Sequence, residues 1–177
     1  MVFSPFILDL ILVALGRGDS SSETDVCEVI NMKDATSFCP NLPPYPYALR
    51  HSTGHVVDSV PIIAGGYPST ILVIYRSYVH KYDIETNSWI SLGNMVKPRG
   101  QYASVPLNGA LWVLGGHTPM TNSTELIFPN GTIVGGPDLP APRFSHCAVT
   151  LKGQEISEAI FHAFNSTKLP MILAPNF

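Results

Sequence analysis

Apolar residues along this chain gather in short runs separated by turn residues, with no sustained helical spacing. The clearest case is Ala110 to Leu114, a continuous apolar run of the kind buried on both faces between stacked sheets. Asn108-Gly109 just before it is a strong hairpin signal, and Gln101 to Leu107 alternates loosely up to that turn. Ser123 to Phe128 and Gly131 to Val134 flank Pro129-Asn130-Gly131 as a second hairpin. Upstream, the run that opens at Val60 is followed by predicted strands at Ile71 to Tyr75, Tyr78 to Tyr82 and Ser88 to Leu92, with Asp83 to Asn87 as a turn. The pattern predicts strands and turns.

These strands repeat. The run from Val60 ends in Gly65-Gly66 and the run from Ala110 ends in Gly115-Gly116, an offset of 50 residues. An Arg stands upstream of each pair, Arg50 by 15 residues and Arg99 by 16, and Arg143 begins a third such unit. A Pro-containing approach precedes each Arg: NLPPYPYALR, GNMVKPR and GPDLPAPR. Self-similarity at this period, with four short strands per unit, is the signature of propeller blades. A glycine pair alone also suits a phosphate-cradling loop, but the spacing excludes that here. HTPMTNST after Gly116 holds neither a third fingerprint glycine nor a Gly-Lys-Ser/Thr.

Together the ordered glycine pairs, YDIETNSW (Tyr82 to Trp89) with its Tyr82, Asp83 and Trp89, and LGNMVKPR leading to Arg99 resemble the kelch repeat over about Leu42 to Lys152. The likeness is greatest to secreted invertebrate kelch proteins, which pair a short Cys-bearing N-terminal segment with the first blade. It implies an all-β fold, an incomplete kelch-type β-propeller of two four-stranded blades plus the start of a third. It also implies that Trp89 is a plate buried between adjacent blades and that Arg99 and Arg143 bond backbone carbonyls to tie blades together. The expected partition is 50–96 for blade one, 97–141 for blade two, 142–156 for a partial third and 157–177 for a non-repeat tail. Ile133 replaces the Trp in blade two, which predicts a looser contact there. No glycine pair stands near Glu158-Ala159, where EISEAIFHAF has an amphipathic helical flavour, so truncation or splicing within the third blade is expected.

Composition sharpens the setting. Of 177 residues only 13% are charged, with 14 Gly and 16 Pro, which suits short strands joined by turns. A net charge of −3 without long runs of either sign excludes a nucleic-acid footprint or a polybasic membrane surface. The apolar run Phe6 to Leu15 is too short to span a bilayer and reads as the core of a signal peptide over 1–18, leaving 19–49 as a Cys-bearing segment. Asn122, Asn130 and Asn165 head N-glycosylation triplets, and Cys27 with Cys39 is a candidate disulfide in an oxidising compartment. Cys147 is left over. A secreted glycoprotein is expected.

Candidate chemistry is sparse. His51 and His55, four apart in a strand-and-turn setting, lack a third ligand. His146 and Cys147 are adjacent, so on a strand they face opposite ways. Galactose oxidase, a kelch enzyme, needs copper ligands from more blades than this chain holds. No catalytic residue, metal or cofactor is therefore assigned, and the expected role is non-enzymatic protein–protein interaction. Tyr67, Arg76, Tyr78 and His117, near the glycine pairs, are the candidate partner-binding loop residues. An intracellular kelch adaptor for ubiquitin-ligase substrates or actin is the alternative reading. The partner is an unidentified protein, and either self-association or missing blades is expected because two blades cannot close a ring.

Overall fold

The structure is a computed structural model that describes residues 10–17, 23–31, 36–38, 42–68, 74–117 and 119–150. Among them are eleven strands in three antiparallel meanders and no helix. β1 (Leu10–Arg17), β2 (Glu23–Asn31) and β3 (Thr36–Phe38) form a three-stranded sheet. β4 (Thr53–Val57), β5 (Val60–Ala64), β6 (Tyr78–Asp83) and β7 (Ser88–Asn94) form a four-stranded sheet in chain order. β8 (Ala103–Leu107), β9 (Ala110–Leu114), β10 (Thr124–Ile127) and β11 (Ile133–Gly135) repeat it. The two four-stranded units are the expected blades. Their first strands, β4 and β8, lie side by side, with Thr53 Oγ1 2.6 Å from Ser104 Oγ and His55 Nε2 2.9 Å from the Ser104 carbonyl.

Local chemistry explains the hairpins. Asn108 and Gly109 take φ of 51° and 71°, the two left-handed residues that a tight hairpin turn between twisted strands requires. Asp58 and Ser59 do the same between β4 and β5 at 47° and 66°, without a glycine. Asp83 ends β6 by accepting the amides of Glu85 and Thr86 at 2.9 and 3.4 Å, an Asx-type turn.

The three-stranded sheet is the surprise, because it follows the blade pattern. Val13 opposite Glu28 and Ala14 opposite Cys27 occupy the register of Ile63 with His80 and Ala64 with Val79. Val113 with Glu125 and Leu114 with Thr124 complete the series. One link hydrogen bond recurs three times: Tyr45 N to Asp25 O at 2.8 Å, Met95 N to Ser77 O at 2.8 Å, and Leu139 N to Asn122 O at 2.7 Å. β1–β3 thus correspond to strands two to four of a blade that precedes β4.

Core packing repeats with the same phase. Between the two four-stranded blades, Val79, Met95 and Val113 are buried with Leu92 and Ile133 against them. Between β1–β3 and the next blade the equivalents are Cys27, Tyr45 and Ile63, with Leu42 and Trp89 against them. Ile62, Val79, Leu111, Val113 and Ile127 are fully enclosed, and each such side chain stabilises the fold by roughly 1.5–3 kcal/mol. Half-buried Trp89 packs against the N-terminal sheet, its Nε1 donating to the Pro43 carbonyl at 3.3 Å. Ile133 fills the same position in blade two, where it packs on the core.

β1 lies within the run expected as a leader over 1–18, and the 19–49 segment contributes β2, β3 and a link. An inner blade strand buried on both faces and the apolar core of a leader are satisfied by the same kind of run. Cys27 is buried and unbridged, its thiol donating to the Asp25 carbonyl at 3.8 Å, and burial pushes its pKa up. Cys39, and with it the expected Cys27–Cys39 disulfide, lies outside the described residues. The strand expected at Ile71 to Tyr75 falls largely on residues outside the description, while Ile74 and Tyr75 are not in a strand. The missing strand is β4, ahead of Val60. Residues 151–177, with Asn165 and the expected tail, are also outside the described set.

Candidate functional site

Each glycine pair closes a blade's second strand and seats the loop beyond it on the following link. Gly66 donates to the Arg99 carbonyl at 2.9 Å, and Gly116 donates to the Arg143 carbonyl at 2.8 Å. A Cβ on Gly65 would sit 2.4 Å from the Arg99 carbonyl, and one on Gly115 would sit 2.7 Å from that of Arg143. Both glycines also have left-handed φ, 58° and 64°. Glycine is required by space and by dihedral alike.

Arg99, fully buried, locks this junction from the other side. Its guanidinium donates to the Gly115 and Ser123 carbonyls at 2.8 and 2.9 Å and pairs with Glu125. Glu125 in turn accepts the amides of Val96 and Lys97 at 2.6 and 3.2 Å. The sequence marked Arg99 as a residue for bonding backbone carbonyls without naming Gly115 or Ser123, and Glu125 went unnoticed. Arg50 is not its counterpart in blade one. Arg50 pairs with Tyr67 as Gly100 pairs with His117, so Leu49 stands where Arg99 does. At that junction Tyr45 Oη lies 2.9 Å from His80 Nδ1, and His80 occupies the register of Glu125.

The loops gather rings. His51 stacks on Tyr67 with centroids 5.3 Å apart and planes at 6°. Tyr67 meets Tyr75 at 5.0 Å, Tyr75 meets His117 at 5.6 Å, and His117 meets Phe144 at 5.1 Å. The Arg50 guanidinium lies 4.8 Å from the Tyr67 ring, a cation–π distance. Tyr67 and His117 hold the same place after their glycine pairs, which is why one band of rings runs across the blade boundary. The links support it at His51, Gln101 and Ser145, three non-glycine residues with φ of 55°, 55° and 51°. Each hands a carbonyl to the next, Gln101 N to His51 O at 3.2 Å and Ser145 N to Gln101 O at 2.7 Å.

The four expected loop residues divide between two clusters. Tyr67 and His117 belong to the band, but Tyr67 is buried and serves as its foundation rather than its contact surface. Tyr78 begins β6 and stacks on Tyr47 at 4.7 Å, with the Arg76 guanidinium 5.8 Å from its ring. The band's accessible ends are His51 and Phe144, and Ile74 and Met120, which neighbour Tyr75 and His117 along the chain, are exposed. Burial raises the Tyr75 pKa, so its hydroxyl stays neutral and donates to Gln101 Oε1 at 3.4 Å. Such a face offers rings, a cation and apolar side chains, which suits a peptide or protein surface.

His55 is spent on the Ser104 carbonyl, and among the described residues no three His, Cys, Asp or Glu side chains are grouped to hold a metal. Neighbouring His146 and Cys147 differ in setting, the His ring nitrogens buried and the thiol exposed. Asn130 is exposed at a turn, its Oδ1 accepting Thr132 N at 2.9 Å, whereas the half-buried Asn122 amide donates to the Leu139 carbonyl at 3.2 Å.

Comparison with known proteins agrees with this geometry. No model of a known protein family matches the chain. Kelch-like protein 42 of Homo sapiens is 33% identical over 75 residues, which are 42% of this chain and 14% of that protein. The solved structure of YjhT superposes with a TM-score of 0.63 at 12% identity, covering 78% of this chain and 52% of that one. This chain thus spans about half the length of YjhT and matches a small part of Kelch-like protein 42. The likeness to YjhT is one of fold.

Proposed function

We propose that this chain, a partial β-propeller built of kelch repeats, binds a protein partner through the ring band from His51 to Phe144 and does so without catalysis. The observation that carries this reading is the continuity of the band across two blades, through Tyr67, Tyr75 and His117. A surface formed jointly by two repeats is lost when the repeats separate, so binding depends on the blade junction. A photo-crosslinking residue installed at His117, with another at the exposed Ile84 as control, tests it. A discrete adduct from position 117 alone, abolished by Tyr75→Ala, supports the reading. Equal labelling from both positions overturns it.

The compartment follows from a separate line. Export rests on the glycosylation triplets, with exposed Asn130 the acceptor best placed for a glycan. The intracellular adaptor reading draws on the similarity to Kelch-like protein 42. Expression in secretory cells followed by glycosidase digestion separates them. A mobility shift lost in Asn130→Gln supports export, and an unglycosylated, retained chain supports the adaptor.

A further inference from the structure

Two Asn-Gly dipeptides stand at hairpin turns, Asn108-Gly109 between β8 and β9 and Asn130-Gly131 between β10 and β11. An Asn before Gly is open to internal attack, because glycine puts no Cβ in the path of its amide nitrogen toward the preceding side chain. The two turns treat that nitrogen differently. At the second, Gly131 N donates to the Phe128 carbonyl at 2.9 Å, and Asn130 Oδ1 accepts Thr132 N at 2.9 Å. At the first, Asn108 is exposed, and among the described residues neither its side chain nor the Gly109 amide takes a hydrogen bond.

Backbone shape favours the first turn as well. Asn108 has φ of 51° and Gly109 of 71°, the pattern of a type I′ turn. Turning over the single peptide between them gives a type II′ turn, which keeps φ positive at Asn108 and moves Gly109 to a negative φ that glycine adopts freely. That rotation swings the Gly109 nitrogen toward Asn108 Cγ, the arrangement that a closed imide ring holds. Asn130 has no left-handed φ to start from.

We propose that Asn108 is a site of spontaneous deamidation that loosens the contact between the two four-stranded blades as the protein ages. The Gly109 nitrogen attacks Asn108 Cγ, its proton passes to the side-chain nitrogen, and that nitrogen leaves as ammonia. Water then opens the imide. Addition at the side-chain carbonyl gives aspartate, and addition at the main-chain carbonyl gives isoaspartate, with no change of oxidation state. Either product disturbs this turn. Gly109 faces Asp58 in the turn of the preceding blade, where a Cβ on the glycine would lie 3.3 Å from Oδ2. Aspartate sets a second anion one residue from that carboxylate. Isoaspartate adds a backbone carbon to a two-residue turn, so Leu107 and Ala110 lose their pairing register. This inference stands independently of the ring band as a binding face.

The test is peptide mass mapping of the full chain aged in mildly alkaline buffer, with and without urea. In the folded chain Asn108 is expected to convert about tenfold faster than Asn130, which must first give up the bonds that hold it and Gly131. In urea the two rates should converge, because the turns are then gone. Aged wild type should unfold at a lower denaturant midpoint than fresh protein. Asn108→Gly, which suits the left-handed turn and has no side-chain amide to lose, should keep its midpoint. Equal conversion of Asn108 and Asn130 in the folded chain, a difference that persists in urea, or an aged Asn108→Gly that loses as much as wild type overturns the proposal.

Discussion

Arg99 and Glu125 form an ion pair across the junction of two blades, with Nη2 2.5 Å from Oε1 and the side chains 1% and 3% exposed. The pair closes a circuit: Arg99 holds the end of β9 and the start of β10, and Glu125 holds the link amides that deliver Arg99. Removing one partner leaves a buried charge without compensation, which costs about 3–5 kcal/mol. Glu125→Ala and Arg99→Ala should each lower the urea midpoint accordingly. Arg99→Leu with Glu125→His, which copies Leu49 and His80 of the preceding junction, should lose much less than the sum of its single changes. Additive losses in that cycle would contradict a coupled pair.

The glycine pairs predict position-specific intolerance. Gly65→Ala drives a methyl toward the Arg99 carbonyl and strains a left-handed residue, for a loss of roughly 1–3 kcal/mol or more. Gly135→Ala meets no atom within 4 Å and has no left-handed φ, so it should be nearly neutral. Thermal melts of the two variants compare them directly, and equal losses would argue against the blade junction described.

Ser59 carries strain that sequence variation can relieve. Its φ of 66° costs a non-glycine residue roughly 1–2 kcal/mol, and the equivalent position in the next blade is Gly109. Ser59→Gly should stabilise the chain by about 0.5–1 kcal/mol after the larger entropy of unfolded glycine is counted. Denaturant titration reads this as a higher midpoint at unchanged slope.

Stability should fall on mild acidification. Burial lowers the pKa of His80 from its ordinary 6.5, so the folded chain keeps that ring neutral beside the Tyr45 hydroxyl. Burial, then the Arg143 charge, lowers that of His146 as well. Below pH 6.5 the unfolded chain takes up protons that the folded chain refuses. Stability is therefore full above that pH and declines as pH falls toward the lowered folded values, by at most about 1.4 kcal/mol per unit for each His. Unfolding midpoints between pH 7.5 and 5 should show this slope, and His80→Asn should make it shallower.

Blade two was legible almost strand for strand, because Asn108-Gly109 announces its hairpin and the run to Leu114 ends in a glycine pair. β4 was hidden because its turn uses Asp58-Ser59, a dipeptide that becomes left-handed only under tertiary constraint. The N-terminal blade strands were masked by the likeness of β1 to a leader and by the reduction of its glycine pair to Gly16 within an irregular pairing. Arg50 looked like a repeat of Arg99, yet a one-residue offset put Leu49 in that place and Arg50 over Tyr67. Glu125 and the ring band depend on residues brought together from separate blades, which no local pattern encodes. Arg99, Trp89 and the glycine pairs were readable because the repeat itself states their positions.

The central claim is that the chain is one series of blades beginning before β4, and amide hydrogen exchange resolved by NMR tests it most directly. The amides of Tyr45, Met95 and Leu139, which donate in turn to Asp25, Ser77 and Asn122, are predicted to be protected together. A Tyr45 amide exchanging at the unfolded rate while Met95 and Leu139 stay protected would contradict it.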